Sequence, residues 1–407
     1  MLSHVVRYST WQLVAQMLSA STMLVLTALL PASPLATYGY ALSLSSLVSS
    51  FATLRLEQAI LIARSDLESN DLAWGGMAVA LGLAAVMVLL DQVGAFGHEI
   101  GSYTAGAISA FAMSAVNISQ QMLIRKSRSG YAGRIAAFRS FVVSAFVVGF
   151  AWLGPRLDAK AVLFGLSIAS AMVAIGCLVE LVRITGALPA FGSMRVTFRR
   201  YSDVWMSYLG QSILSGISLN APYFAIFHFA APRYAAAYLL ADRVVRMPVT
   251  LLSNSVRSHL THQFRLLIER RQENTGKGIL LRWSASLAVM GLVVLLLGGW
   301  TLWMFGAHFS GEKWRQAGVA IMVMSVWGGS VISNPPAAAT LTAYRKTGYI
   351  FRMQAGELIL RITIIAAAAL YLFKGEFYLG LFLIFVPGIF YNFFLWREAS
   401  QAWKTSC

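Results

Sequence analysis

Apolar runs long enough to cross a bilayer follow one another from near the first residue of this 407-residue chain to near its last. A helix needs about 20 apolar residues to span the hydrocarbon. Twelve stretches meet or approach that length: 11–31, 35–54, 74–90, 101–123, 136–154, 160–182, 203–229, 234–256, 283–305, 316–343, 355–373 and 376–396. Inside lipid the backbone must satisfy its own hydrogen bonds, so such runs fold as helices. The fold class expected is an all-α integral membrane protein with about twelve transmembrane helices. Only 12% of the residues are charged, about half the share in a soluble domain, which leaves too little polar surface to cover a globule in water. The first run, Trp11–Leu30, is longer than the apolar core of a signal peptide and is followed at once by another, so it reads as an uncleaved span. The tenth is interrupted by Asn334, Pro335 and Pro336.

Charge sets the orientation. The chain carries 32 Lys+Arg against 16 Asp+Glu. In a soluble protein the excess would point to nucleic acid; here basic residues belong in cytoplasmic loops. With the N-terminus inside, 23 basic residues fall in inner segments, 6 in outer loops and three, Arg243, Arg246 and Arg361, within spans. That asymmetry places both termini in the cytoplasm. Trp11, Trp74, Trp152, Trp205, Trp283, Trp303 and Trp396 fall at span ends, the headgroup level an amphipathic ring prefers. The longest outer loops, near Asp91–Ile100 and Gly306–Arg315, are too short to fold as domains.

The chain also reads as two copies of one unit. Pro34 precedes Tyr40, and Pro232 precedes Tyr238, at equivalent outer loops after the first and seventh spans; Tyr8-Ser9 and Tyr201-Ser202 open the halves. Six spans per half is even, which predicts a parallel pseudo-repeat about the membrane normal. The expected domains are two six-helix bundles, 1–190 and 191–407, with the basic stretch Gly186–Arg200 as a cytoplasmic linker.

Motifs of soluble enzymes are missing, and the chain reads as a non-enzyme with no catalytic residues, no metal site and no cofactor. Thr275, Gly276, Lys277 and Gly278 lack the upstream glycine of a phosphate loop and mark a cytoplasmic loop. His259 and His262 have helical spacing but no nearby acidic or cysteine ligand. The informative residues are charges where lipid should be. Arg243 and Arg246 share roughly one side of the eighth span, beside Asp242 and shortly before Pro248. A central arginine costs about 2.5–3.5 kcal/mol on insertion scales, so this pair is expected at a water-filled cavity; a structural ion pair is the alternative. Glu357 and Arg361 stand i,i+4 in the eleventh span, either as a cavity pair or with Arg361 snorkelling to the cytoplasmic interface. Asn220, before Pro222, is a candidate polar contact where the seventh span breaks. Asp242 and Glu357 are the candidate carriers of a coupling ion, proton or sodium. Arg55 and Glu57 end the second span, where such residues ordinarily meet the interface.

Three ordered stretches resemble the polysaccharide transporter family, the Wzx-type flippases of the MOP exporter superfamily. The first runs from Tyr38-Gly39-Tyr40 to Arg55, Glu57, Gln58, Ala59 and Ile60; the second from Arg200 through Asn220 and Pro222 to Tyr238, Arg243 and Pro248; the third from Phe305 through Gly311, Glu312 and Trp314 to Gly318. Leu56 stands where the family often has an aromatic, Asn220 and Ala221 replace more usual residues, and the chain is short for the family. The resemblance implies a MATE/MOP-like pair of bundles around a central cavity, working by alternating access. It implies undecaprenyl-diphosphate-linked oligosaccharide as cargo, carried from the cytoplasmic to the periplasmic leaflet of a bacterial inner membrane among membrane lipids. A polysaccharide polymerase and a chain-length regulator are the further partners it implies. A diphosphate suits Arg243 and Arg246, because guanidinium pairs phosphate through fixed donors. Three alternatives stay open: a multidrug or small-molecule exporter of the same superfamily, a membrane polymerase or acyltransferase, and a channel. Organic cations would favour acidic cavity residues, a polymerase a large outer loop, and an acyltransferase a histidine in a convincing site.

Overall fold

The computed structural model describes residues 2–93, 101–126, 128–153, 159–186, 189–310, 312–344, 346–373 and 375–403. Every regular element among them is an α-helix. In order these are α1 (Leu2–Leu29), α2 (Ala32–Ser49), α3 (Leu56–Ile62), α4 (Asp66–Gln92), α5 (Ser102–Arg125), α6 (Ser129–Leu153), α7 (Ala159–Thr185), α8 (Phe191–Arg200), α9 (Ser202–Phe229), α10 (Pro232–Glu269), α11 (Glu273–Ser310), α12 (Glu312–Ile332), α13 (Pro335–Ala343), α14 (Thr347–Tyr371) and α15 (Phe377–Ala402).

Among the described residues nine helical stretches are long and apolar enough to cross a membrane: α1, α4, α5, α6, α7, α11, α12 with α13, α14 and α15. The chain is a multi-pass membrane protein. The other long helices expected to span are α2, rich in Ser and Tyr but without a charged residue, α9 and the more polar α10. Large apolar side chains point outward along the spans, among them Val293 and Leu297 on α11, Ile359 and Ile362 on α14, and Phe390 and Phe393 on α15. Buried Ser, Thr, Asn and charged residues lie inward. Lipid is the solvent that reverses the usual pattern.

Several expectations need correction. The outer loop expected at 306–315 is mostly helical, because α11 runs to Ser310 and α12 starts at Glu312. The Thr275–Gly278 loop is the first turns of α11. α9 continues through Pro222 rather than breaking there; a single missing N–H is tolerated within a packed membrane helix. The stretch expected as a linker holds α8, which packs on α4. The side chains of Pro248, His259 and His262 lie outside the described residues.

The chain divides into two compact units, Met1–Asn220 and Ala221–Cys407, the division falling within α9. In the first, α5 is the central helix, packing on α2, α4, α6 and α7. Its buried face is mostly Ala, Ser and Gly, which lets helices approach closely. In the second, α11 and α12 are so close that a Cβ on Gly318 would lie 2.6 Å from the Gly299 carbonyl oxygen; no other residue fits there.

One helix–turn–helix junction recurs in the backbone at an offset of 200 residues, two away from the register the prolines suggested. α1 and α9 are both 28 residues long and end at Leu29 and Phe229; α2 and α10 begin at Ala32 and Pro232. The junction bonds repeat as well: Leu30 N–H to Leu26 O and Ala230 N–H to Ile226 O, then Leu35 N–H to Pro31 O and Ala235 N–H to Ala231 O. This offset matches Tyr38, not Tyr40, with Tyr238. It places Leu42, Ser43 and Ser46 of α2 at the positions of Asp242, Arg243 and Arg246, so these three charges of α10 have no charged counterparts in α2.

Candidate functional site

The second unit gathers buried charge from two helices against aromatic rings from others. On α10, Arg246 Nε donates to Asp242 Oδ1 at 2.6 Å, one helical turn back. The sequence placed Asp242 beside Arg243; helical geometry gives it to Arg246, because residues four apart face each other and adjacent ones do not. Tyr238, another turn back, points its hydroxyl at the same carboxylate oxygen from 3.5 Å.

On α14, Arg361 Nη2 meets Glu357 Oε1 at 2.5 Å. Arg361 is only 2% exposed, so it does not snorkel. Its guanidinium carbon lies 5.6 Å from the Phe385 ring centroid and 5.9 Å from that of Trp327. Both distances suit a cation over an aromatic face. Gly388, one turn after Phe385 on α15, leaves the space: a Cβ there would lie 2.5 Å from Arg361 Nη2 and 2.6 Å from Trp327 Nε1.

Aromatic rings join the two pairs. Phe385 stacks on Tyr238 at 6.3 Å, Tyr238 meets Tyr223 at 6.0 Å, and Trp327 meets Phe385 at 4.5 Å. Arg246 and Arg361 lie within electrostatic range of one another, as do Arg243 and Tyr223. Arg243 is half-buried; its Nε is shielded from solvent and has no hydrogen-bond partner among the described residues. Among the described residues the group holds three guanidinium groups and two carboxylates, one positive charge in excess.

Of the expected site residues, the structure brings Asp242, Arg243, Arg246, Glu357 and Arg361 into this group. Asn220 lies in the first unit, 3% exposed, with its amide donating to the Gly216 carbonyl at 2.8 Å within α9. Arg55 and Glu57 form a separate corner in the first unit. Leu54 and Arg55 both have left-handed backbones, with φ of 51° and 58°, and turn α2 sharply into α3. Glu57 does not meet the interface: it is 2% exposed, accepting a hydrogen bond from Thr53 and one from Arg55 Nη1 at 3.2 Å. Arg55 Nε also donates to Ser212 of α9.

Sequence reasoning missed the rings and the glycine. Trp327 had a signal: it lies far from a span end, unlike seven other tryptophans. Tyr238 was noted only as a repeat marker. Gly388 follows Pro387 in an unbroken apolar run, and nothing in that run marks it as the space for a guanidinium.

No family model matches the chain, and no curated protein matches it. Solved structures do match over nearly its whole length. The lipid II flippase MurJ, in an inward closed conformation, superposes with a TM-score of 0.72 at 11% identity, covering 98% of this chain and 89% of MurJ. A Vibrio cholerae MATE transporter gives 0.60 at 12%, covering 99% and 96%. A MOP superfamily transporter from Pyrococcus furiosus, whose binding pocket of reverse polarity suggests a different function, gives 0.54 at 14%, covering 98% and 96%. At these identities the likeness is one of architecture: the chain has the fold shared by MurJ and the MATE transporters.

Proposed function

We propose that the chain is a transporter that flips an anionic, lipid-linked cargo, and specifically undecaprenyl-diphosphate-linked oligosaccharide, from the cytoplasmic to the periplasmic leaflet. The observation that carries this reading is the positive excess at Arg243, Arg246 and Arg361 against Asp242 and Glu357, on α10 and α14 of the second unit. Buried charge is costly unless paired, and the shielded Nε of Arg243 is a donor whose bond a ligand can supply. A diphosphate offers both the charge and the acceptors. The likeness to MurJ supports a lipid-linked cargo; the likeness to MATE transporters supports transport in general. A multidrug exporter is the second reading, and an organic cation would meet like charge here.

In this reading Arg243 and Arg246 bind the diphosphate, since both keep some exposure. Arg361, held beneath Trp327 and Phe385, positions the aromatic wall and is reached only after rearrangement. Arg55 and Glu57 fix the α2–α3 corner. The two six-helix bundles, 1–190 and 191–407, are the moving halves of an alternating-access cycle, with both termini cytoplasmic and the product passed to a polysaccharide polymerase.

The test is complementation of a flippase-deficient strain. Arg243→Ala should abolish complementation while membrane levels stay normal. Arg243→Lys should rescue only partly, because an ammonium lacks the two-pronged fit to phosphate. Full complementation by Arg243→Ala, or loss of the protein from the membrane, would remove Arg243 from the binding site.

A further inference from the structure

The first unit contains a groove that cargo binding leaves unused. It has a volume of about 550 Å³ and lies between α4 and α8. Its α4 wall is made of small residues, Gly75, Ala78 and Val79. The α8 wall is Met194 and Phe198, and Arg195 and Arg199 form its rim.

α8 is fastened over α4 by its other face. Ser193 and Thr197 donate to the two oxygens of Asp71 at 2.9 and 2.8 Å, and Asp71 is buried. Phe198 brings the Cζ end of its ring against Gly75, where an added Cβ would collide with it. Arg200 pairs with Glu68, which also accepts from the Tyr201 hydroxyl at 2.8 Å. These contacts use Ser193, Thr197, Phe198 and Arg200. They leave Arg195 and Arg199, one turn apart, exposed and without a carboxylate partner among the described residues. Phe191 and Val196 are exposed as well, at 81% and 62%. Basic and large apolar residues side by side on a short helix are the composition of a segment lying in the membrane interface.

We infer that the α4–α8 groove binds an anionic glycerophospholipid, its phosphodiester on Arg195 and Arg199 and an acyl chain along Gly75, Ala78 and Val79. Charge complementarity selects the headgroup. The rim offers two guanidinium groups and no carboxylate, while the small-residue wall lies on a helix apolar enough to span the bilayer. A zwitterionic lipid fills the groove but adds a trimethylammonium that the rim repels. Bound there, the lipid ties α8 to one leaflet. This site is independent of the cargo, and its test does not depend on transport.

The experiment places a photoreactive residue at Met194 in the full chain, reconstituted in phosphatidylcholine vesicles with a minor share of phosphatidylglycerol. A second protein carries it at Val293, an exposed position on α11, as the reference for ordinary lipid contact. Adducts are identified by mass. At Met194, phosphatidylglycerol should be enriched roughly fivefold or more over its bulk share, since each basic residue at an anionic surface contributes about that factor. Arg195→Gln with Arg199→Gln should return the ratio to the bulk value, with the Val293 reference unchanged in the same background. Excess inorganic phosphate should leave the enrichment intact. Labelling at Met194 in bulk proportion, an enrichment that survives the double substitution, or displacement by inorganic phosphate overturns the proposal.

Discussion

Glu357 and Arg361 show how a single glycine decides the place of a charge. With Arg361 2% exposed and its carboxylate partner also buried, removing one member leaves the other charged in a low-dielectric core, a loss of about 3–5 kcal/mol where measured in other buried pairs. Glu357→Gln should therefore lower the melting temperature sharply in detergent, and Glu357→Leu combined with Arg361→Met should recover most of the loss. A double variant no more stable than the single one would mean that packing around Trp327, not charge, is at stake. Gly388→Ala tests the same site from α15. Its methyl group would meet Arg361 and Trp327 inside van der Waals distance, so overpacking should cost about 1–3 kcal/mol, while alanine at the open Gly356 should cost little. The charges themselves were legible in the sequence, because ionisable residues in apolar runs stand out. Their pairing was only half legible. The i,i+4 spacing of Glu357 and Arg361 announced a pair, but the adjacency of Asp242 and Arg243 hid the i,i+4 partner Arg246. The rings came from helices distant in sequence, and no local pattern records such contacts.

Helices announced themselves by apolar length, and their ends did so less well. α3, α8 and α13 are too short for a span signal and were read as boundaries, linker or part of another run. α10 and α11 extend far past their apolar cores, with 38 residues each, because a helix can continue into the aqueous layer once polar residues face water. The turn between them carries a testable strain. Arg271 adopts φ of 55° while the Gln272 N–H bonds the Leu267 carbonyl at 2.9 Å, the arrangement in which glycine ordinarily ends a helix. Arg271 is exposed and its side chain has little to lose. Arg271→Gly should raise stability by about 1 kcal/mol, the left-handed penalty less the added freedom of the unfolded chain. Arg271→Val should lower it, since a β-branched residue resists positive φ. Chemical unfolding in mixed micelles compares the two, and equal midpoints would show that the turn relaxes without cost. The recurring α1–α2 and α9–α10 junction was legible as a motif but misregistered, because Pro34 and Pro232 do not occupy the same place in their helices.

At the scale of the whole molecule, orientation and energy coupling are the two properties that the fold constrains. Reporter fusions after Arg64, Arg128, Arg200, Arg271 and Lys346 should read cytoplasmic, and those at His98, Asp158 and Glu312 periplasmic. A periplasmic signal at Arg200 would break the six-plus-six scheme. Coupling belongs to the function proposed above: outward movement of a doubly charged lipid would become uphill as the far leaflet fills. Exchange with an ion gradient is then expected, and among the described residues the carboxylates buried in the second unit beside arginines are Asp242 and Glu357. Glu357 is held with Arg361 beneath two rings, whereas the Asp242–Arg246 pair keeps partial exposure. A diphosphate arriving at Arg243 and Arg246 competes for the cation that Asp242 holds at 2.6 Å. In the proposed cycle a proton would take the place of that cation, which would link cargo and proton binding through one carboxylate, each altering the other's affinity by the same factor. The linkage is measured with labelled lipid-linked oligosaccharide in proteoliposomes, with and without an imposed pH gradient. The intact protein should respond to the gradient. Asp242→Asn, which keeps the shape but cannot exchange a proton, should bind cargo yet transport at a rate indifferent to the gradient, while Glu357→Gln should lose stability and, where folded, keep the response. Normal transport by Asp242→Asn with a full response to the gradient would assign the coupling elsewhere.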